Sequence, residues 1–255
     1  MKTEDAADTA SVFTFEVVVI VPMVRRTLQR RDLLGLVSAI GRRDPRAGAE
    51  ATRLLAEEGL DALLDAPAAV AAVQGGAEGP GAVSLPLLWY VPIRYRLVGV
   101  GETDLSLADY AASVCVHFTE QRATRVGGRP SHPTLAERWQ SIRNLGVATV
   151  ARAERAADSA AVALWFSACF PSWVERGGRG GVRASVAFAR DSYAEAARGL
   201  VIGYPEAAAL SARMVVQAGV VRDAIAAAAT EYLGPDAGDT ARRIARYLRR
   251  LNIQN

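Results

Sequence analysis

Apolar residues recur every three or four positions along most of the chain from Asp104 onward, a spacing that places them on one face of an α-helix. Short runs of glycine, proline, serine or aspartate separate these segments and supply helix caps and stops. The pattern predicts helices over residues 104–121, 134–150, 158–170, 182–198, 205–218, 220–233 and 239–252. Many helices with short connections predict a mainly α, globular multi-helix domain.

The N-terminal third adds a short extended segment and further helices. The run Val12–Val21 (VFTFEVVVIV) is dominated by β-branched and aromatic residues, which predicts a strand. Helical spacing follows Pro22, and Gly41 offers the first helix a stop. The helices expected in this region cover residues 23–40, 45–64 and 67–74.

A glycine-rich run, Gly75–Gly81 (GGAEGPG), is the clearest linker in the chain. A segment with this much glycine holds a helix poorly and is typical of an exposed loop. The linker predicts an N-terminal subdomain over residues 1–82 and a main helical domain over residues 83–255.

The segment that follows the linker, Val83–Val100 (VSLPLLWYVPIRYRLVGV), resists a simple assignment. Pro86 and Pro92 lack the backbone N–H that a helix interior uses, and aromatic residues favour extended structure. We therefore expect this segment to be irregular to extended.

Composition bounds the class of protein. Of the 255 residues 51% are hydrophobic, which excludes an intrinsically disordered chain. Two cysteines, Cys115 and Cys169, are too few for a disulfide-dense secreted scaffold. The acidic start Met1–Ala10 is unlike a signal peptide, and the apolar run Val17–Val24 is shorter than the about 20 residues that span a bilayer. We expect a cytoplasmic protein without a transmembrane segment.

The basic residues are almost all arginine, because Lys2 is the only lysine among 30 basic residues. Together with the abundance of alanine, this bias is typical of a GC-rich bacterial genome. A phosphate-binding P-loop, a Schiff-base enzyme and a protein kinase each need a lysine, so these classes are excluded. The serine-hydrolase pattern G-x-S-x-G and the zinc-protease pattern H-E-x-x-H are also absent.

Potential metal ligands are scarce and badly spaced. A structural zinc site takes about four Cys or His ligands, and the chain has only Cys115, His117, His132 and Cys169. Cysteines of this kind are usually small core residues, although Cys169 with His117 is a formal candidate for a nucleophile pair. His117 and Glu120 form one H-x-x-E pair, which is more typical of a solvated helix face. We expect no metal and no cofactor.

The densest aromatic cluster is Trp165–Trp173 (WFSACFPSW). Helical spacing places Trp165 and Cys169 on one face, and Pro171 turns the chain before Trp173. A buried core explains the cluster best, and an aromatic groove for a partner is the alternative, because tryptophan is a common interface anchor. Trp165 and Trp173 are therefore candidate binding residues.

A second arginine-rich motif is the loop Arg176–Arg183 (RGGRGGVR). Segments of this type bind RNA through phosphate contacts and arginine stacking. One short copy between helices is better explained as a solvated linker.

The predicted C-terminal helix, Ala241–Ile253 (ARRIARYLRRLNI), concentrates the excess positive charge. Residues 1–240 carry 25 basic and 27 acidic groups, whereas no acidic residue and five arginines follow Asp239. We expect this helix to dock on the core through an apolar stripe of Ile244, Tyr247, Leu248 and Leu251. Alternatively, its arginines bind nucleic-acid phosphates, an acidic partner or an anionic membrane. The candidate binding arginines are Arg242, Arg243, Arg246, Arg249 and Arg250.

Three hypotheses for function result. The leading one is a non-enzymatic helical adaptor or regulatory protein that acts by binding another macromolecule, with a protein as the expected partner. The first alternative is a nucleic-acid-binding protein that uses the C-terminal helix. The second is an enzyme with an unfamiliar site, for which the first place to look is the group of charged residues Arg94, Arg96, Glu102, Asp104 and Asp109.

Overall fold

The computed structural model describes residues 18–75, 83–124, 138, 140, 142–144, 150–176 and 180–233. Of these residues 85% are helical, and they form 11 helices and no strands, which confirms the prediction of a mainly α multi-helix fold. The helices are α1 Val24–Thr27, α2 Arg30–Arg43, α3 Pro45–Glu57, α4 Leu60–Asp65, α5 Pro67–Gly75, α6 Leu85–Gly99, α7 Leu105–Thr124, α8 Val150–Cys169, α9 Pro171–Arg176, α10 Gly181–Gly199 and α11 Pro205–Leu233.

The predicted N-terminal strand does not appear in the part of it that the structure describes. Residues 18–21 lie outside any helix or strand, and residues 12–17 are outside the described ranges. A strand needs a partner strand for its backbone hydrogen bonds, and the described ranges contain none. Val19 and Ile20 instead pack their side chains against the helical core.

Helices α2 and α3 pack closely against each other at two glycines. The predicted stop at Gly41 is wrong, because α2 continues to Arg43, and Asp44 then caps α3 by accepting a hydrogen bond from the backbone N–H of Arg46 at 2.8 Å. A Cβ atom added to Gly48 would lie 2.5 Å from the Cα atom of Gly41. Gly41 therefore serves the contact between the helices rather than the end of one.

Two other predicted boundaries were placed differently from the sequence pattern. The single helix expected over residues 45–64 is divided into α3 and α4 at Gly59, whose positive φ of 92° is a conformation that favours glycine. The two helices expected over residues 205–218 and 220–233 are one helix, α11. Gly219 is part-buried within it, and a Cβ atom there would lie 3.3 Å from a guanidinium nitrogen of Arg190.

The expectation of irregular or extended structure over Val83–Val100 was wrong, because this segment forms α6. Pro86 lies in the first helical turn, where the backbone N–H has no intrahelical partner. Pro92 lies in the helix interior and is buried. Most of α6 is buried on every side, so tertiary packing outweighs the missing hydrogen bond.

The larger part of the fold is a bundle of five long helices. Helices α8 and α10 pack along each other, and α11 contacts α6, α7, α8 and α10. The large side chains at the centre include Trp89 of α6 and Trp165 of α8, whose rings meet edge to face with their centroids 5.7 Å apart. None of the helices in the described part of the chain is long and apolar enough to cross a membrane.

The N-terminal helices rest on this bundle through a few contacts. Helices α4 and α5 pack against α6, and α1 packs against α6 and α7. The main hydrophobic cluster includes Leu36 and Leu63 as well as Trp89 and Trp165. The proposed division into residues 1–82 and 83–255 stays a prediction.

Candidate functional site

The five candidate arginines of the C-terminal helix lie outside the described residues, which end at Leu233. The same holds for the predicted helix 239–252, for most of the predicted helix 134–150, and for Arg179. Arg176 and Arg183 of the arginine–glycine loop are described, and both are exposed. Val182 donates its backbone N–H to a carboxylate oxygen of Glu175 at 3.1 Å.

The two candidate tryptophans occupy different environments. Trp165 is fully buried, and its ring stacks on Phe118 with 6.1 Å between the centroids. Trp173 is 57% exposed, and its ring lies 5.6 Å from that of Phe166. Trp173 is therefore the member of the pair that a partner can reach, and Trp165 contributes to the core.

The charged residues named for an enzyme site have separate partners. The Asp104 carboxylate caps α7 by accepting the N–H of Ser106 at 2.9 Å and forms an ion pair with Arg213, also at 2.9 Å. The Asp109 carboxylate accepts the backbone N–H of Arg25 at 3.2 Å. Arg94 belongs to a set of residues that shares Arg25 with Asp109, whereas Asp104 faces Arg213, so these side chains do not all converge on one centre.

The set that contains Arg94 is a network that we name the Arg94 cluster, formed by Arg25, Asp61, Asp65, Tyr90 and Arg94. The Arg94 guanidinium donates two hydrogen bonds of 2.6 Å to the Asp65 carboxylate and one of 2.6 Å to Asp61. It also donates to the Tyr90 hydroxyl at 3.3 Å. Arg25 donates to both oxygens of Asp61 at 2.9 Å, so the cluster joins α1, α4 and α6.

In the Arg94 cluster the buried group is the cation. The Arg94 side chain is only 3% exposed, whereas Asp61 and Asp65 are half-exposed. Partial burial acts to raise the pKa of Asp61, but the hydrogen bonds and charges of Arg94 and Arg25 outweigh it and lower that pKa. Asp61 and Asp65 lie four residues apart on one face of α4, a spacing that sequence reasoning missed as a signal.

A second polar group, the Asp158 cluster, lies where α7, α8 and α10 meet and contains Tyr110, His117, Arg138, Asp158 and Tyr193. Arg138 donates to the Asp158 carboxylate at 3.1 Å, and both side chains are nearly buried, at 11% and 15% exposure. The hydroxyls of Tyr110 and Tyr193 share a hydrogen bond of 2.9 Å inside the core. The charge of Asp158 acts on both Tyr110 and His117.

Burial dominates the protonation equilibria of the Asp158 cluster. It raises the pKa of Asp158 even though the charge of Arg138 opposes the change. It lowers the pKa of His117, so the imidazole is neutral at pH 7, and it raises the pKa values of Tyr110 and Tyr193, so both hydroxyls stay protonated. The cluster therefore links three helices, with the His117 imidazole and both tyrosine hydroxyls uncharged at pH 7.

The predicted start of a helix at residue 158 was wrong. Helix α8 begins at Val150, so Asp158 lies in its interior, surrounded by alanines in the run AERAADSAA. Aspartate is one of the residues preferred at helix N-caps, which explains why the pattern indicated a helix start there. Only the approach of Arg138 identifies its role.

Cysteine chemistry receives no support from the geometry. Cys115 and Cys169 are both buried thiols that form no disulfide, and burial raises the pKa of Cys115 far above its usual range. A reactive cysteine needs a low pKa and access to solvent. Within the described ranges, no group of three or more His, Cys, Asp or Glu side chains is arranged to hold a metal ion.

Three exposed apolar residues, Val201, Ile202 and Tyr204, lie between α10 and α11 and form what we name the apolar turn. Ile202 is 96% exposed, and Val201 and Tyr204 are about half-exposed or more. Leu200, directly before them, is fully buried in a small core cluster with alanines of α8 and α11. Connections between helices are usually polar, so the run VIGY was a sequence signal that went unused.

Comparison of the chain with protein-family models, with curated proteins and with solved structures gave no match.

Proposed function

We propose that the protein is a non-enzymatic helical adaptor or regulatory protein that acts by binding another protein through the apolar turn. The observation that carries the proposal is the exposure of Ile202, the most exposed of the large apolar side chains described. Exposed apolar groups that lie together are typical of protein–protein contact sites.

The fold itself does not need these side chains. Leu200 anchors the end of α10 in the core, and Ala207 and Ala208 anchor the start of α11. The residues between these anchors only have to reverse the chain, a task that polar residues and glycine perform at lower cost in exposed apolar area. Their apolar character is better explained by an external contact.

The start of α8 extends the apolar surface. Ala153 and Ala156 near the beginning of α8 share one small core cluster with the anchors of the apolar turn, so these helix ends lie together. Val150, the first residue of α8, is exposed at this end. A protruding apolar turn fits a concave groove on a partner, where an isoleucine side chain is fully desolvated.

The test compares proteins captured by the wild-type chain and by Ile202→Glu. We expect the partner to be lost or bound at least about tenfold more weakly, because a buried unpaired carboxylate opposes association. Leu34→Glu on α2 is the matched control, since Leu34 is also exposed and apolar but lies on a different helix. The partner is then purified, and its dissociation constant is measured for all three proteins. Equal affinity for wild type and Ile202→Glu would refute the proposal.

A nucleic-acid-binding function is the second candidate, and it rests on the charge distribution. Five arginines and no acidic residue follow Asp239, in a chain that is otherwise near neutral. Charge reversal at Arg246 and Arg249 is expected to abolish binding to duplex DNA or RNA and to flatten its dependence on salt. Filter binding over a salt series measures both effects, and unchanged binding would remove this candidate.

A further inference from the structure

Within the part of the chain that the structure describes, helix α11 leaves one face uncovered although it contacts four other helices. The exposed positions recur every three or four residues, which defines a narrow line along the helix. We name this line the α11 stripe; its members are Ala209, Arg213, Val216, Val220, Asp223 and the part-buried Ala227.

The α11 stripe is apolar at its centre and charged toward its ends. Val216 is 71% exposed and Val220 is exposed beside it. Arg213 stands one turn before Val216, and Asp223 stands about one turn after Val220. The Arg213 side chain is 45% exposed beside Asp104, and the Asp223 side chain is 73% exposed beside Arg222, so both still reach the surface.

This order of residues is complementary to itself when one copy of the helix is reversed. An antiparallel pair centred at the level of Ala218 sets Val216 of one copy against Val220 of the other. The same alignment sets Arg213 against Asp223 and Ala209 against Ala227, and the twofold axis repeats each contact. Small residues at the ends allow the two helices to approach closely, and opposite charges fix the register.

Two α11 helices aligned in this way overlap over about 27 Å, the length of the 18 steps from residue 209 to residue 227. Exposed apolar residues continue beyond the stripe. Val98 and Val100 are exposed at the end of α6, a few residues before Asp104, which forms an ion pair with Arg213. Exposed apolar side chains therefore stand within six residues, along the chain, of the ion pair that holds Arg213.

We propose that a second copy of this chain binds to the α11 stripe, forming a twofold dimer through antiparallel α11 helices. This surface is distinct from the apolar turn, so the proposal stands independently of the proposed function.

The first test is the molar mass measured by light scattering over a concentration series. The wild-type chain is expected to form a species of twice 27.1 kDa. Val216→Glu is expected to weaken the dimer at least about tenfold, because the substitution places a carboxylate at both symmetry-related positions. Ile202→Glu serves as the control and is expected to keep the dimer. A wild-type monomer, or a Val216→Glu dimer of unchanged stability, would overturn the proposal.

The second test is a charge exchange. Arg213→Glu and Asp223→Arg are each expected to weaken the dimer about tenfold, and the double variant is expected to restore it to within about threefold of wild type. Residues 213 and 223 are about 15 Å apart along one helix, so the rescue cannot arise within one chain. Asp104→Asn removes the internal ion-pair partner of Arg213 and is expected to leave the dimer intact. Absence of rescue would contradict the antiparallel pairing.

Discussion

The Arg94 cluster and the Asp158 cluster both pair arginine with aspartate, yet they distribute burial in opposite ways. In the Arg94 cluster the guanidinium is 3% exposed and its two carboxylates reach water. In the Asp158 cluster the carboxylate is almost as buried as its arginine. As a result the pKa of Asp61 is lowered and that of Asp158 is raised.

The difference shows that the location of an ion pair, and not its presence, decides what the pair contributes. Moving a charge out of water costs several kcal/mol, and the partner recovers this cost only when hydrogen bonds are complete. Arg94 meets that condition with four side-chain hydrogen bonds to three residues. Asp158 accepts a side-chain hydrogen bond from Arg138, but burial has the larger effect and raises its pKa.

The largest expected effect is the loss of both carboxylates that hold Arg94. Asp61→Asn with Asp65→Asn leaves a buried guanidinium without an opposite charge, which is expected to lower the free energy of unfolding by about 3–5 kcal/mol. Urea denaturation followed by circular dichroism measures the change. The matched control is Glu50→Gln with Glu57→Gln around the exposed Arg53, which is expected to produce no measurable change. Equal effects in both double variants would remove the distinction between buried and exposed arginines.

Removal of the cation from the Asp158 cluster ranks second. Arg138→Met leaves the nearly buried Asp158 carboxylate without its partner and is expected to cost about 2–3 kcal/mol at pH 7. Part of the loss is expected to disappear at pH 5, since protonation removes the unpaired charge. Arg138→Met with Asp158→Asn tests this cause, because the double variant leaves no charge behind. A loss that is the same at both pH values and in the double variant would refute the explanation.

Removal of the cation from the Arg94 cluster is expected to cost less. Arg94→Met leaves Asp61 and Asp65 in contact with water and fills part of the volume of the arginine stem, so we expect a loss of about 1–2 kcal/mol. The measurement compares the free energy of unfolding of Arg94→Met with that of the double variant Asp61→Asn with Asp65→Asn. A loss from Arg94→Met that equals or exceeds the loss from that variant would show that the burial of Arg94 does not control the energy.

The smallest expected effect, about 1 kcal/mol or less, is in the pH dependence of stability. Burial raises the folded-state pKa of Asp158, so the folded state keeps the proton on this carboxyl to a higher pH than the unfolded state does. Stability therefore falls as the pH rises from the unfolded pKa of about 3.9 through the folded pKa. Because the folded-state pKa of Asp61 is lowered, stability falls as the pH drops below the unfolded pKa of about 3.9. Subtraction of the Asp158→Asn and Asp61→Asn profiles from the wild-type profile is expected to give slopes of opposite sign. Slopes of the same sign would contradict the opposite pKa shifts of Asp61 and Asp158.

Sequence reasoning located most helices and missed the reasons for several of their boundaries. The predicted helices over residues 104–121 and 182–198 correspond to α7 and α10 within a few residues. Caps and apolar spacing act over four residues or fewer, so they can be read locally. The sequence pattern placed helix boundaries at Gly41 and Gly219. In the fold each glycine lies inside a helix and faces a residue of another helix.

The sites were less accessible to sequence reasoning than the helices. The Arg94 cluster depends on contacts between residues 29 and 33 positions apart, and the two tyrosine hydroxyls meet across 83 positions. A contact between residues so far apart along the chain does not change the local residue pattern from which helices are predicted. The apolar turn is the exception, because VIGY between two predicted helices is readable as an unusual connection.

The amino-acid sequence by itself determined that this chain is mainly helical, since helix periodicity and capping are local properties. It also determined the segregation of positive charge beyond Asp239. The tertiary structure alone decided that α6 is helical despite Pro92, that Asp158 lies inside a helix, and that Arg94 is buried between two carboxylates. The physical reason is that burial and ion pairing depend on distant residues that only the folded chain brings into contact.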